Sequence, residues 1–183
     1  MTALYVLLGI AALVVLWAIS VYNRLIRMRN VKDEAWSGID VQLKRRFDLI
    51  PNLMETVKGY AAHEQETFQK VTEARAAVMK SGSILERAQS ENMLSGALKS
   101  LFAVAENYPE LKASTNFLHL QEQLTGLEDD IQMSRRYYNG AARDFNIGIA
   151  TFPAVLIAQK FGFHKAEFFE ADEADRETPQ VQF

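Results

Sequence analysis

The chain has 183 residues, with 20 lysines and arginines, 23 aspartates and glutamates, and no cysteine. The lack of cysteine excludes disulfides, thiolate metal sites and cysteine nucleophiles, and the net charge of −3 argues against a general nucleic-acid binder. The chain begins with an apolar run. The remaining roughly 150 residues are enough for one ordinary domain with a sizeable core.

The apolar run covers residues 3–22, ALYVLLGIAALVVLWAISVY, and contains no charge and no proline. A helix of this length spans about 30 Å, the thickness of the hydrocarbon core of a bilayer. We therefore predict a membrane anchor over residues 1–23. A cleaved signal peptide is the alternative, but no basic residue precedes the run and it is long for a signal peptide. The residues expected to face lipid or the interface are Tyr5, Leu8, Leu13, Leu16, Trp17 and Tyr22.

Basic residues follow the run directly, at Arg24, Arg27 and Arg29, whereas no lysine or arginine precedes it. Cytoplasmic flanks of membrane helices carry an excess of lysine and arginine. The sequence thus predicts a single-pass protein with its N-terminus outside and the following domain in the cytoplasm.

Apolar residues spaced alternately three and four apart predict helices at about 24–48, 51–80, 84–107 and 110–152. The expected fold is all-α, an antiparallel four-helix bundle of long coiled-coil-like helices after the membrane helix. Because proline disfavours a helix interior, we interpret Pro51 as a turn, with a kinked continuous helix as the alternative.

The fourth predicted helix carries the clearest repeat, with Leu124, Ile131, Tyr138, Phe145 and Phe152 seven residues apart. It is longer than the predicted third helix, and its apolar stripe continues along the overhang. This predicts homo-oligomerisation, unless the first two helices cover the overhang in the same chain.

Residues 153–170 are unusually apolar for a terminal segment. With four helices the chain returns to the membrane, so this segment is expected at the bilayer surface, or else packed on the bundle or on a neighbouring subunit. If Pro51 is only a kink, the helix count is odd and the segment is expected far from the membrane. Residues 171–183 are acidic and expected to be disordered. The predicted oligomer or membrane contacts are Tyr138, Phe145, Phe152, Leu156, Phe161 and Phe163.

The sequence contains only weak signals for a catalytic or metal-binding site. No phosphate loop, nucleophile elbow or zinc-protease motif occurs, so we predict no catalytic residue, no cofactor and no metal site. The alternative is a metal-dependent bundle enzyme using the pairs His63/Glu66 and His119/Glu122. A possible partner-binding patch is formed by Lys44, Arg45 and Arg46.

Long sequence motifs closely resemble the bacterial LemA family. They are AWSGIDVQLKRRFDLIPNLMETVKGYAAHE (35–64), ENYPELKAS (106–114), NFLHLQEQL (116–124), SRRYYN (134–139) and TFPAVLIAQKFGF (151–163). The resemblance implies an N-terminal membrane helix with a cytoplasmic four-helix bundle in the bacterial inner membrane. It also favours a turn at Pro51, but it does not supply an enzymatic activity or any catalytic residue. The predicted function is a non-enzymatic, membrane-anchored scaffold or adaptor. Its expected partners are the lipid bilayer, further copies of itself and unidentified membrane or cytoplasmic proteins.

Overall fold

A computed structural model describes residues 1–169, and within that range every regular element is a helix. The helices are α1 (Thr2–Lys58), α2 (Gln65–Lys80), α3 (Ile84–Ala105), α4 (Pro109–Lys112), α5 (Thr115–Ala150) and α6 (Ala154–Lys160). The all-α class is confirmed, while the four-helix bundle remains a prediction. The acidic tail predicted at 171–183 lies outside the described residues.

The chain divides into two compact units. Unit 1 contains residues 1–37 and 136–167, and unit 2 contains residues 38–135 with residues 168 and 169. The long helices α1 and α5 each contribute to both units, and each unit has its own buried core.

Pro51 lies inside α1, so the turn predicted there is wrong. Proline in a helix interior costs about 3 kcal/mol because it removes one hydrogen bond and crowds the preceding turn. The apolar stripe nevertheless continues in phase across it, and Ile50, Leu53 and Val57 are fully buried. Each such side chain contributes about 1.5–3 kcal/mol on burial, so the three together exceed the cost of the proline. The helix ends instead at Lys58, where Gly59 begins the connection to α2.

The core of unit 2 packs α2 and α3 with the second part of α1 and the first part of α5. Its fully buried residues include Val71 on α2, Leu94 and Leu101 on α3, and Leu111 on α4. A capping box begins α3, in which the Ser83 hydroxyl accepts from the Glu86 N–H (3.2 Å) while the Glu86 carboxylate accepts from the Ser83 N–H (3.3 Å).

The core of unit 1 is smaller. Leu25 from α1, Phe145 and Ile149 from α5, and Ala158 from α6 are buried together. Val21, Met28, Phe163 and Ala166 pack around them. This core therefore joins the residues that follow the apolar run to the C-terminal part of the described chain.

Candidate membrane-proximal site

The first part of α1 is uncovered within the chain. Residues 2–17 are all exposed, and Tyr5, Leu8, Leu13 and Leu16 each expose more than half of their surface. So long a continuous apolar surface is unfavourable in water and suits a lipid environment. Among residues 1–169, α1 is the one helix that is by itself long and apolar enough to span a membrane.

Helices α1 and α5 run antiparallel in unit 1. Met28 lies against Gly148, where an added Cβ would sit 3.0 Å from the Met28 sulfur. Further along α1, the Trp36 ring is 5.5 Å from the Tyr138 ring, edge to face. Residue numbers thus rise on α1 as they fall on α5. The C-terminal end of α5 is thereby placed beside the end of the apolar run.

Helix α6 then turns sharply, with a bend of 97° from α5. Because α5 is antiparallel to α1, α6 crosses α1 at close to a right angle. The crossing is at the level of Tyr22, the last residue of the apolar run, whose ring centroid is 4.9 Å from that of Phe161. Helix α6 therefore lies across α1 where the apolar run ends.

The chain after α6 is fixed to α5 by polar contacts. The Asn146 amide donates to the Ala166 carbonyl (3.0 Å) and accepts from the Ala166 N–H (2.7 Å). The Tyr138 hydroxyl donates to the Glu167 carbonyl (2.8 Å). Burial, with smaller effects of the Glu167 and Asp33 carboxylates, raises the pKa of Tyr138 to about 12. Gly162 adopts a left-handed φ of 69°, which the tight turn after α6 requires.

This arrangement leaves three large apolar side chains exposed around α6. Phe152 is 77% exposed, and Leu156 and Phe161 are each 56% exposed. Phe163 is half-buried, with its ring centroid 5.9 Å from that of Tyr22 and 6.3 Å from that of Phe145. The exposed three remain candidates for the predicted oligomer or membrane contact.

Tyr138 and Phe145 require a correction, since both were predicted as oligomer or membrane contacts. Both are buried in unit 1, at 0% and 2% exposure. The Trp36 ring covers Tyr138, and the Lys32 ammonium lies 5.5 Å from the Phe145 ring centroid. Helix α1 of the same chain therefore covers this part of the α5 stripe.

The three basic residues after the apolar run all lie on the exposed surface of α1. The guanidinium of Arg29 lies 5.7 Å from the centroid of the Phe163 ring, within range of a cation–π interaction. Arg24 and Arg27 extend from the same two turns of the helix. Their charges therefore surround the end of the span at the level of α6.

In unit 2, Arg46 contradicts the predicted patch. Its side chain is 1% exposed and forms ion pairs with Glu91 (2.6 Å) and with Glu128. It also donates to the Ser95 hydroxyl (2.7 Å). Lys44 and Arg45 are exposed, and Lys44 lies 3.8 Å from Asp48. The basic surface is thus reduced to two residues, and the third stabilises the interior.

Sequence reasoning missed the buried carboxylate of Glu91, which Arg87 also contacts at 2.8 Å. A signal was present in the spacing. On α1 the alternating spacing of four and three continues from Ile39 and Leu43 to Arg46. On α3 the apolar stripe has a gap of five residues between Ala88 and Leu94. A charged residue on one stripe facing a carboxylate in the gap of another indicates a buried ion pair.

A family model described as the LemA family matches residues 35–183. The chain belongs to the LemA family. The family predicted from the sequence motifs is confirmed. The matched range contains most of the chain after the apolar run.

Three relatives are similar to this LemA-family chain over most of its length. Protein LemA of Metamycoplasma hominis is 33% identical over 158 residues, covering 84% of this chain and 71% of that protein. Magnetosome protein MamQ 2 of Paramagnetospirillum magneticum is 27% identical, covering 87% and 68%. Magnetosome protein MamQ of Magnetospirillum gryphiswaldense is 24% identical, covering 87% and 70%.

The metal-enzyme alternative requires a cluster of metal ligands. Among residues 1–169, no group of three or more histidine, cysteine, aspartate or glutamate side chains is placed to hold an ion. His63 and His119 are both exposed. Glu66 pairs with Lys70 at 2.7 Å, which lowers the pKa of its carboxyl, and the His119 ring lies 3.2 Å from the Gln123 amide. In this LemA-family chain, Glu66 and His119 therefore have neighbours on their own helices, whereas His63 precedes α2 and does not share a helix face with Glu66.

Proposed function

We propose that this chain is a non-enzymatic, membrane-anchored helical scaffold whose C-terminal segment makes a second contact with the bilayer that α1 enters. The observation that carries this proposal is the position of α6. It crosses α1 beside Tyr22, and Phe152, Leu156 and Phe161 remain exposed there. Helices that lie in a membrane interface combine apolar side chains on one face with basic residues near lipid phosphates.

The magnitude is adequate for a local contact. Full burial of a leucine or phenylalanine side chain contributes about 1.5–3 kcal/mol, so three partly exposed ones contribute several kcal/mol together. Lys160 is exposed at the end of α6, and Lys165 is exposed shortly after it. Because α1 already holds the protein at the membrane, α6 does not have to supply the affinity of an independent anchor.

The finer parts of the proposal rest on charge. A cytoplasmic domain at the bacterial inner membrane is supported by the three basic residues directly after the span, Arg24, Arg27 and Arg29. A reporter such as alkaline phosphatase fused after Phe183 is expected to be inactive, and strong activity would reverse this orientation.

Homo-oligomerisation is retained as a proposal with a changed basis. The overhang of α5 no longer supports it, because α1 covers Tyr138 and Phe145 in the same chain. The uncovered span of α1 and the exposed surface of α6 are the faces that another copy or another protein would meet. Mass photometry in mild detergent tests this, and a uniform monomer would argue against it.

Fluorescence quenching in proteoliposomes tests the second membrane contact. Because the chain lacks cysteine, Leu156→Cys can be labelled at one site with an environment-sensitive fluorophore. Met93→Cys in unit 2 is the matched control, since Met93 is an exposed apolar helix residue, at 61% exposure. We expect lipid-borne quenchers to act on the label at 156 and not on the label at 93. Quenching of both labels by aqueous reagents alone would refute the contact.

A further inference from the structure

A groove in unit 1 lies between α1 and the corner where α5 meets α6. Its volume is about 460 Å³, within the range of sites that hold small organic ligands. Trp17 and Val21 of α1 line one side, and Ile147 and Phe152 line the other. The groove therefore opens beside the last turns of the membrane span.

The α1 side of the groove begins in the apolar run and continues past its end. Trp17, Val21 and Arg24 are four and three residues apart, which places them on one face of the helix over roughly 10 Å. Trp17 and Val21 belong to the span, whereas Arg24 follows it and is joined there by the apolar lining residues Leu25 and Met28. A phospholipid has the same order, because its acyl chains lie in the hydrocarbon and its phosphate lies at the surface.

The charge of Arg24 is available to an anion. Arg24 is exposed, and no carboxylate lies within ion-pair distance of it among residues 1–169. Asp144 is the one carboxylate that lines the groove, and the Arg143 guanidinium lies 3.2 Å from it. Guanidinium groups bind phosphate oxygens through charge-assisted hydrogen bonds.

We propose that this groove binds one anionic phospholipid, with its phosphate on Arg24 and the upper part of one acyl chain between Val21 and Ile147. The chemical class follows from the continuity of the groove with the membrane span and from the unpaired cation that lines the groove just after the span. The inference rests on the proposed membrane anchoring, but it does not require α6 to enter the bilayer.

Native mass spectrometry of the full chain tests the site in detergent, with palmitoyl-oleoyl phosphatidylglycerol as the probe and the phosphatidylcholine analogue for comparison. We expect a discrete complex with one phosphatidylglycerol. Arg24→Gln should weaken it by about tenfold or more, because one charge-assisted contact is lost. Arg27→Gln removes the same charge outside the groove lining, so its effect should stay below about twofold.

A second pair of variants tests the apolar part. Ala154 lines the groove and Ala150 is exposed outside it, so Ala154→Phe fills the groove whereas Ala150→Phe does not. Ala154→Phe should weaken the binding of both phospholipids, and Ala150→Phe should weaken the binding of neither. Circular dichroism identifies any variant that fails to fold, and the paired substitution at 24 then decides alone.

Several results would overturn the proposal. They are an equal loss of phosphatidylglycerol binding in Arg24→Gln and Arg27→Gln, unchanged lipid binding in Ala154→Phe, or the absence of a discrete complex with one lipid. Displacement of the lipid by equal concentrations of glycerol 3-phosphate would instead indicate a site for soluble phosphates and reject the lipid. Since the measurement is made in detergent, it can fail while the label at 156 still reports membrane contact, and the reverse also holds.

Discussion

Replacement of Arg46 by methionine should destabilise the protein strongly. This is unexpected from the sequence, because a basic residue in the run Lys44-Arg45-Arg46 is ordinarily solvent-exposed. The Arg46 side chain is 1% exposed and bonds Glu91 at 2.6 Å and Ser95 at 2.7 Å. Methionine is a flexible apolar side chain that occupies the place of the aliphatic part of arginine, so the main loss is electrostatic. Glu91, also 1% exposed, would keep its charge in a buried position.

The expected cost follows from what remains around Glu91. Removal of one partner of a buried ion pair costs about 3–5 kcal/mol, because the other charge stays desolvated. Arg87 still contacts Glu91 at 2.8 Å, and Glu128, whose side chain is 35% exposed, can regain water. We therefore expect the lower end, a loss of about 3 kcal/mol in the free energy of unfolding.

Urea unfolding of the full chain in mild detergent, followed by far-UV circular dichroism, measures this loss. A decrease of about 3 kcal/mol lowers the urea midpoint by roughly 1–3 M. Arg45→Met is the matched control, because the same substitution at the neighbouring exposed position should change stability by less than about 0.5 kcal/mol. The double variant Arg46→Met/Glu91→Met should recover most of the loss, since the fully buried carboxylate is then removed as well. Arg87 and Glu128 each lose a partner, but their side chains are 24% and 35% exposed and can regain water.

Equal midpoints for the 45 and 46 variants would refute the buried ion pair as a stabilising contact. A double variant less stable than Arg46→Met alone would show that the stranded carboxylate is not the source of the cost.

Two further predictions concern single hydroxyl groups. The folded protein keeps the proton of Tyr138 up to about pH 12, whereas an unfolded tyrosine loses it near pH 10, so this contribution to stability is complete below pH 10 and is lost as pH rises towards 12. The free energy of unfolding should fall by up to roughly 3 kcal/mol more in the wild type than in Tyr138→Phe over that window, and parallel curves would contradict this. Ser83→Ala removes the N-cap of α3 and should cost about 1 kcal/mol in urea unfolding, whereas no change would show that the capping box is not stabilising.

The repeat of α5 was the most informative part of the sequence. Leu124, Ile131, Tyr138 and Phe145, seven residues apart, are all buried. Periodicity identifies the inward face of a helix, but it does not identify the neighbour that covers that face. The sequence therefore gave the right face and the wrong partner for Tyr138 and Phe145, which α1 covers.

Pro51 and Gly59 show the opposite case, in which tertiary packing and not the local sequence determines where α1 ends. Proline is a strong breaker signal, yet the buried side chains on both sides of Pro51 outweigh its cost. Gly59 is a weak signal inside a run of good helix formers, yet α1 ends beside it. A choice between the two positions needs the tertiary contacts.

The site around α6 was partly predictable. The apolar composition of 153–170 is evident in the sequence. Helix counting with a turn at Pro51 predicted the return of this segment to the end of the apolar run, and Phe161 does lie beside Tyr22, although α1 continues through Pro51 and ends at Lys58. The sharp bend after α5 and the contacts of Asn146 with Ala166 depend on spatial neighbours, so the groove beside Arg24 had no sequence signature.

The composition of unit 1 has a consequence for synthesis of the protein. Its two parts, residues 1–37 and 136–167, are separated by 98 residues (135 − 38 + 1). At a translation rate of about 5–20 residues per second, the ribosome needs roughly 5–20 s to make that interval. The nascent α1 can therefore enter the bilayer long before α5 exists to cover Leu25 and Met28. Membrane insertion and closure of unit 1 are thus separate events in time, and a ribosome stalled before residue 136 leaves an anchored chain whose unit 1 cannot form.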